Sequence, residues 1–326
     1  AELAGGILRA MTLTDRFAPT VLLVGHGSST RNNPHAAGLD CGACGGQTGS
    51  VNVRVLADML NDKDVRAALA EQGLSIPPET RFVGALHNTT TDEVECAGEV
   101  PDDIRKFLAK AGAQARRERA VRLGVASDND VDSAIRKRSQ DWSEVRPEWG
   151  LAGNASFIVA PRSATRHLDL GGRSFLHDYR WQNDEGFKIL ELIMTAPMVV
   201  THWINLQYFM SVTDNLHYGS GNKVLHNVVG GHLGVFEGNG GDLRIGLPLQ
   251  SVHDGERWIH EPLRLSVYLA APKEAIAEIA QKHQVVQDLI DNDWLYLFRI
   301  DDEQTWIERF YKNQWQAIAV SPTSNP

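Results

Sequence analysis

Cysteine is scarce in this chain, with three residues in 326, at positions 41, 44 and 96. Three unevenly spaced cysteines are too few for a disulfide framework, so they indicate a reducing compartment and thiol or metal chemistry. Basic residues are also in deficit, because 32 Lys and Arg face 41 Asp and Glu and give a net charge of −9. This acidic balance argues against a nucleic-acid partner, which needs a basic surface.

The first ten residues lack the basic segment of a secretory signal peptide, and we therefore expect none. The chain begins with Ala1 instead of Met, inside a predicted helix over residues 3–11. We expect it to be a fragment of a longer protein, with a processed N-terminus as the alternative.

Charged residues are absent from one long run, the 22 residues 192–213. That length can span a bilayer. Polar and helix-breaking residues interrupt the run, however, and would be costly in lipid. They are Pro197, Thr201, His202, Asn205, Gln207, Ser211 and Thr213. The sequence therefore predicts a buried core helix, with a surface that docks onto a membrane-embedded partner as the alternative.

What is present is ordinary globular composition, 42% hydrophobic and 22% charged, with enough chain for one large or two smaller cores. A buried strand is predicted over residues 19–25, an amphipathic helix over 51–70 and a second strand over 81–86. This order predicts a βαβ unit. We expect an α/β fold, with a mostly parallel sheet and flanking helices, in a first domain over residues 1–150.

The second predicted domain, residues 151–326, is a glycine-rich α+β region. Glycine is concentrated between residues 219 and 246, and a strand over 263–269 and a helix over 273–282 follow. In the first domain, the charge-rich stretch 102–140 is predicted to be helical, with Arg116–Arg119 on a solvated face because basic and acidic residues nearly balance.

The first predicted strand leads into a polar, glycine-rich loop that begins at His26. Ligands of open α/β sheets bind beyond the carboxyl ends of strands, where His26 would project. The loop offers His26, His35, Asp40, Cys41 and Cys44. Imidazole and thiolate are ligands of Zn²⁺, so these residues predict a zinc site. The alternatives are a Cys41–Cys44 redox pair or inert buried thiols.

The second predicted strand leads into His87, which would face the same edge of a parallel sheet. We expect His87 to lie near the metal or to face the substrate, with a satisfied polar residue at a loop start as the alternative. Cys96 has acidic neighbours and no evident partner, which favours a structural role. The segment Gly25–Ser29 is not a G-x-S-x-G nucleophile elbow.

Six motifs give the chain a resemblance to a known family. They are Gly25–Gly46, Trp142–Asn154, Phe175–Asp178, Leu192–Thr201, Gly219–Asn227 and Glu237–Pro248. These long stretches, rich in Gly, Trp and His, resemble the DabA family of inorganic carbon transporter subunits, along nearly the whole chain.

The resemblance implies a core like that of a β-carbonic anhydrase, whose zinc is held by two cysteines, one aspartate and one histidine. The histidine and second cysteine fall on His26 and Cys41. The other two ligands belong to a Cys-x-Asp segment, which this chain lacks, because Ala43, Gly46 and Gly98 stand two residues after its cysteines. We therefore expect the missing ligands to lie upstream and the chain alone to be inactive.

The resemblance further implies hydration of CO₂ to bicarbonate by zinc-activated water. The implied partner is a membrane-embedded proton- or cation-conducting subunit of the DabB type, resembling an antiporter-like subunit of complex I. The implied location is the cytoplasmic side of the cell inner membrane, as a peripheral protein. Asp40, Cys44 and His87 are expected beside the metal or facing the substrate. The rival predictions are a non-catalytic structural zinc scaffold and a tetrapyrrole-binding chelatase, the latter from His26-Gly-Ser after a strand.

Overall fold

The computed structural model describes residues 1–31, 40, 47–125, 130–144, 147–219, 225–228, 235–237, 246–247, 249–301 and 307–318. Cys41, Cys44 and His35 lie outside the described residues, as does most of the glycine-rich region. The chain divides into two compact units. The first comprises Ala1–Arg9, Leu13–Ala152 and Met210–Trp258, and the second comprises Ala10–Thr12, Gly153–Phe209 and Ile259–Pro326.

The first unit is built on a three-stranded sheet of order β1-β2-β3. Its elements up to residue 152 are α1 (Glu2–Ala10), β1 (Thr20–Gly27), α2 (Ser50–Asn61), α3 (Lys63–Glu71), β2 (Arg81–Asn88), β3 (Glu93–Cys96), α4 (Asp102–Arg122) and α5 (Val131–Gln140). Strands β1 and β2 are parallel, and β3 runs antiparallel to β2. The predicted βαβ unit is therefore present, although its sheet is mixed.

The crossover between β1 and β2 contains two helices where the sequence predicted one over residues 51–70. The break lies at Asp62, whose backbone is extended at φ −69° and ψ 132°. The Asp62 side chain accepts hydrogen bonds from the backbone N–H groups of Asp64 and Val65, which caps the second helix. A short polar side chain thus ended one helix and began the next, in spite of a continuous apolar pattern.

The core of the first unit lies between this sheet and the helices of the crossover. Leu8, Leu60, Leu69 and Phe82 are its largest fully buried side chains. Gly84 allows the close packing, because a Cβ atom there would lie 3.0 Å from the carbonyl oxygen of Val53 in α2. The strand therefore needs glycine where the helix crosses it.

The second unit contains a six-stranded sheet of order β11-β10-β9-β8-β4-β5. The elements from residue 156 onward are β4 (Ser156–Ala160), β5 (Ser174–Asp178), α6 (Lys188–Thr195), α7 (Pro197–Thr213), α8 (Asn215–Tyr218), β6 (Leu225–Val228), β7 (Val235–Glu237), β8 (Leu265–Leu269), α9 (Lys273–Lys282), α10 (Gln284–Asp291), β9 (Leu295–Ile300), β10 (Ile307–Tyr311) and β11 (Gln314–Ile318). Of these, α8, β6, β7 and the end of α7 fall in the first unit.

Strands β5, β4, β8 and β9 are parallel to one another, and β9 continues into an antiparallel meander with β10 and β11. One face of this sheet forms the core of the second unit, where Phe157, Val267 and Leu297 join Ile276 of α9 and Ile290 of α10. Alternate strand residues are buried, as expected for a sheet packed on helices. The predicted α/β class holds for this sheet.

The stretch Glu185–Thr213 is long enough to cross a membrane, and an 18-residue window within it, with a mean hydropathy of 1.4, is apolar enough. Its most apolar window is 44% buried within the protein, and core helices of water-soluble proteins meet the same criteria. Buried side chains on α7 include Met198 and Asn205, whereas Val200 and Trp203 are exposed. Burial of one side of α7 agrees with the predicted core helix. The exposed apolar residues on its other side are those that the alternative, a docking surface, requires.

We predict that Gly112→Ala destabilises the protein, although alanine favours helices by about 1 kcal/mol. Gly112 lies within α4, where an added Cβ atom would clash with the backbone carbonyl oxygen of Asp92. Such overpacking costs about 1–3 kcal/mol and exceeds the helix gain. Gly6→Ala in α1 is the control, because a Cβ atom there meets nothing within 4 Å.

The measurement is the thermal midpoint of the full-length protein carrying each substitution. We expect a lower midpoint for Gly112→Ala and an unchanged or higher midpoint for Gly6→Ala. A rise of similar size for both variants would show that α4 does not pack tightly against Asp92.

Candidate functional site at the strand ends

The two predicted histidines lie side by side at the carboxyl ends of neighbouring strands. His26 on β1 is the register partner of His87 on β2. Because the strands are parallel, paired residues project from the same face of the sheet. His26 is exposed, and the His87 side chain is 37% exposed. Two imidazoles thus occupy one accessible edge, as the sequence predicted.

The loop after His26 returns to the end of β1 at two points. At Asp40, carboxylate Oδ1 accepts hydrogen bonds from the backbone N–H of Ser28 at 2.8 Å and from its hydroxyl at 3.0 Å. At Gly49, the backbone N–H donates to the carbonyl oxygen of His26 at 2.8 Å. Gly25 permits this return, because a Cβ atom there would lie 2.9 Å from the Gly49 backbone.

Asp40 therefore has a clear position, buried beside the strand end and held by Ser28. It immediately precedes Cys41 in the sequence. Cys41 and Cys44 lie outside the described residues, so the predicted pairing of His26 with Cys41 stays a prediction. In the part of the chain that is described, no group of three or more His, Cys, Asp and Glu residues is arranged to hold a metal ion.

A second loop, residues 88–92, follows β2 and is tied to the first. The Asn88 side chain donates a hydrogen bond to the hydroxyl of Ser29. The backbone N–H of Ser29 donates to the Thr90 hydroxyl at 3.1 Å. The two loops that frame the histidines therefore hold each other in place.

His87 is fixed by a buried carboxylate within that second loop. Its Nε2 lies 3.0 Å from Oδ1 of Asp92. Asp92 is only 8% exposed and adopts a left-handed backbone conformation with φ +53°. Its other oxygen forms an ion pair with Nε of Arg119 at 2.8 Å. Nε2 of His87 is therefore engaged by Asp92, and the predicted role of His87 beside a metal or facing the substrate stays a prediction.

Arg119, from the last turn of α4, binds the whole loop. Its guanidinium donates to the carbonyl oxygens of Thr89 and Thr90 and to the carboxylate of Glu148 at 2.8 Å. Glu148 also accepts a hydrogen bond from the Thr89 hydroxyl at 2.7 Å. Burial raises the pKa of Glu148 to about 7, although the charge of Arg119 acts in the opposite direction. A charged network thus runs from buried Glu148 to His87.

This network corrects part of the prediction that Arg116–Arg119 forms a solvated helix face, because Arg117 and Glu118 are exposed but Arg116 and Arg119 are engaged with the protein. Arg116 is 5% exposed and binds the Asp132 carboxylate at 2.6 Å and the carbonyl oxygen of Thr91 at 2.9 Å. Arg116 and Arg119 face inward because they donate hydrogen bonds to the carbonyl groups of residues 89–91, which need donors. A charge count along one helix carries no information about carbonyl groups that come from elsewhere in the chain.

Cys96 lies in β3 and is a part-buried free thiol. Burial raises the pKa of this thiol, with the charge of Arg105 as a smaller opposing influence. A raised pKa disfavours the reactive thiolate, so the predicted structural role of Cys96 is consistent with its surroundings.

Comparisons with known proteins place the site in a family context. A family model described as "Probable inorganic carbon transporter subunit DabA" matches residues 1–295. Relatives with that description are 61% identical over 318 residues in Hydrogenovibrio crunogenus, 59% over 327 in Marinomonas sp. and 58% over 326 in Chloroflexus aggregans. These alignments cover 96–97% of this chain but 38–40% of each relative. No solved structure matches the chain.

The matched proteins form one class, described as subunits of inorganic carbon transporters. Within that class, the chain belongs to the DabA family, which confirms the resemblance carried by the sequence motifs. The chain spans about two fifths of the length of the curated relatives it matches.

We predict that Glu148→Gln removes most of the pH dependence of the stability of the loop of residues 88–92. The pKa of Glu148 is raised on folding from 4.5 to about 7, so this group stabilises the fold fully below about pH 4.5, and the contribution is lost as the pH rises through 7. The largest effect is on the order of 3 kcal/mol. Glutamine keeps the shape and a hydrogen-bonding oxygen but cannot ionise.

The measurement is hydrogen exchange of amides 88–92 in the full-length protein at about pH 5 and about pH 8, corrected for intrinsic rates. Protection of amides 88–92 should fall with rising pH in the wild type, and it should fall much less in Glu148→Gln. Amides of β8 serve as an internal reference. An equal fall in both proteins would mean that Glu148 does not titrate in this network.

Proposed function

We propose that this chain forms part of a zinc site that hydrates CO₂ to bicarbonate in an energy-coupled inorganic carbon uptake system. The observation that carries the proposal is the pairing of His26 with His87 at the carboxyl ends of two parallel strands. Membership of the DabA family supports the substrate class. Because the chain spans about two fifths of its relatives, the activity is proposed for the full-length protein.

His26 and Cys41 are the proposed zinc ligands from this chain. The described residues fit this role in part, because His26 supplies an exposed imidazole and Asp40 brings the following loop back to it. The remaining ligands are proposed to come from a Cys-x-Asp segment elsewhere in the full-length protein. Zinc supplies Lewis-acid chemistry that makes water a nucleophile near neutral pH.

The surrounding residues have supporting roles in this proposal. Asp92 orients the His87 imidazole through its Nε2 hydrogen bond, so that the ring keeps one tautomer at the edge of the site. Asp40 holds the loop that carries Cys41 by accepting both hydrogen bonds from Ser28. Arg119 and Glu148 hold the loop that carries Asp92, because they bind its carbonyl and hydroxyl groups.

We further propose that the full-length protein is peripheral on the cytoplasmic side of the inner membrane and acts with a membrane-embedded, cation-conducting partner of the DabB type. The family description as a transporter subunit supports a partner. On α7, Trp203 is 61% exposed and Val200 is exposed beside it, within a run that contains no charged residue. Exposed apolar residues of this kind favour contact with another apolar surface.

We predict that Cys41→Ala and His26→Ala each remove about one zinc ion per chain from the full-length protein, because a tetrahedral site that loses a ligand binds zinc weakly. Inorganic carbon uptake by cells producing either variant should be lost. His87→Ala should keep its zinc and lower uptake by roughly tenfold, as substitutions next to metal ligands do. His167→Ala, an exposed histidine in the second unit, is the control.

Zinc is measured by elemental analysis and uptake with labelled inorganic carbon. Unchanged zinc in both Cys41→Ala and His26→Ala would contradict the proposed site. Loss of zinc with undiminished uptake would contradict zinc-dependent hydration. A closed shell of four protein ligands with no exchangeable water would favour a structural zinc scaffold, and retention of a tetrapyrrole on purification would favour the chelatase alternative.

We predict that Trp203→Glu weakens co-purification of the membrane partner, because it places a charge in the apolar contact surface. The substitution should leave the fold intact, since the side chain is exposed. Phe107→Glu is the matched control, because Phe107 is 72% exposed on α4, in the other unit. The measurement is the amount of partner recovered with tagged full-length protein. Recovery equal to wild type for Trp203→Glu would remove α7 from the docking surface.

A further inference from the structure

The six-stranded sheet of the second unit carries a cavity on the face opposite its core. The core face packs against α6, α9 and α10 through residues such as Phe157 and Val267. Residues that alternate with these, including Ser156 and Ser266, line a cavity of about 600 Å³. This volume lies in the range of sites for small molecules. All residues that line it belong to the second unit.

Hydroxyl groups form a row across the floor of this cavity. Ser174, Ser156, Ser266 and Tyr296 are register partners on the adjacent parallel strands β5, β4, β8 and β9. Register partners on parallel strands project from the same face. The hydroxyl oxygens of Ser156 and Ser174 lie 2.6 Å apart. One of these two hydroxyls donates to the other, so the pair offers one O–H group to a ligand, and Ser266 and Tyr296 offer one each.

Two arginines, Arg173 and Arg264, line the same cavity, and among the described residues that line it none is acidic. Arg173 pairs at the rim with Glu261 at 2.6 Å. Arg264 has no ion pair with a described carboxylate. Because Glu261 offsets the charge of Arg173, the positive charge of the cavity comes mainly from Arg264, in a chain with a net charge of −9. Its electrostatic character favours a negatively charged ligand.

Aromatic rings hold Arg264 in place without neutralising it. Its guanidinium carbon lies 5.0 Å from the ring centroid of Phe209 and 4.5 Å from that of Trp294. Cation–π contacts orient a guanidinium and leave its charge uncompensated. The positive charge of Arg264 also acts on His202, because it adds to burial in lowering the pKa of that imidazole to about 4.

We propose that this cavity binds a small organic oxyanion, whose phosphate or carboxylate group is held by Arg264 and the serine row. Guanidinium and hydroxyl groups are the common donors to both kinds of oxyanion. A cavity of about 600 Å³ exceeds the size of a bare anion, so the rest of the ligand lies along Tyr268, which stacks on Phe298 with ring centroids 5.0 Å apart. This site is independent of the proposed zinc site.

Calorimetric titration of the full-length protein with inorganic phosphate and, separately, with succinate tests the proposal. We expect saturable binding of at least one anion by the wild type, weakened about tenfold or more in Arg264→Gln, because a charge-assisted hydrogen bond is lost. Ser266→Ala should weaken it by a smaller factor. Arg166→Gln, an exposed arginine of the same unit outside the cavity, should bind as the wild type does.

The two probes distinguish the sources of the anion, since tighter binding of phosphate indicates a phosphate ester and tighter binding of succinate a carboxylate. Thermal midpoints of the variants without ligand report whether each is folded, and Ser266→Ala serves if Arg264→Gln is not. Absence of saturable binding of both anions by the wild type would overturn the proposal. Equal binding by wild type, Arg264→Gln and Ser266→Ala would also overturn it.

Discussion

The parallel pairing of β1 with β2 is the constraint on which the candidate site depends. The register sets His26 opposite His87, and a slip of one residue would turn one of the two imidazoles to the other face. Both loops of the site begin where this pairing ends. The return of the first loop at Gly49 requires glycine at position 25, so strand, loop and histidine are specified together.

The second loop is held by a buried ion pair, Asp92 with Arg119, and by a buried carboxyl group, Glu148, whose raised pKa favours its neutral form. Moving Asp92 and Arg119 out of water carries a large desolvation penalty, and mutual attraction offsets it only when the geometry is good and further hydrogen bonds are made. Those hydrogen bonds are present, because Arg119 also binds two loop carbonyl groups and Glu148 binds the Thr89 hydroxyl. We interpret the network as a means of fixing one loop conformation, and with it the orientation of His87.

Local patterns in the sequence predicted the elements that hold the site but not the contacts between them. Helix α9 has the predicted bounds, and the strands that end near His26 and His87 lie within two residues of their predicted positions. Alternation and apolar periodicity are local properties of the sequence, and they predict the bounds of such helices and strands well. The meander β9–β11 was not predicted, because it is short, mixed in polarity and dependent on pairing with β8.

The roles of Arg119 and Glu148 were also missed, for a physical reason. They meet across 29 residues of sequence, and they bind a third segment, Arg119 through its carbonyl groups and Glu148 through the Thr89 hydroxyl, so neither has a local signal. The family motif Trp142–Asn154 contains Glu148, but its meaning emerges only when α4 is placed against the loop. The histidines were found because strand ends are predictable, whereas the residues behind them are set by tertiary packing.

The central claim is that His26 and the loop it begins form part of a zinc site completed by other parts of the full-length protein. X-ray absorption at the zinc edge of the full-length protein tests this claim most directly. We expect two sulfur and two nitrogen or oxygen ligands in the wild type, with one sulfur lost in any zinc that Cys41→Ala retains. A shell of four sulfurs, or a spectrum unchanged by Cys41→Ala and His26→Ala, would contradict it.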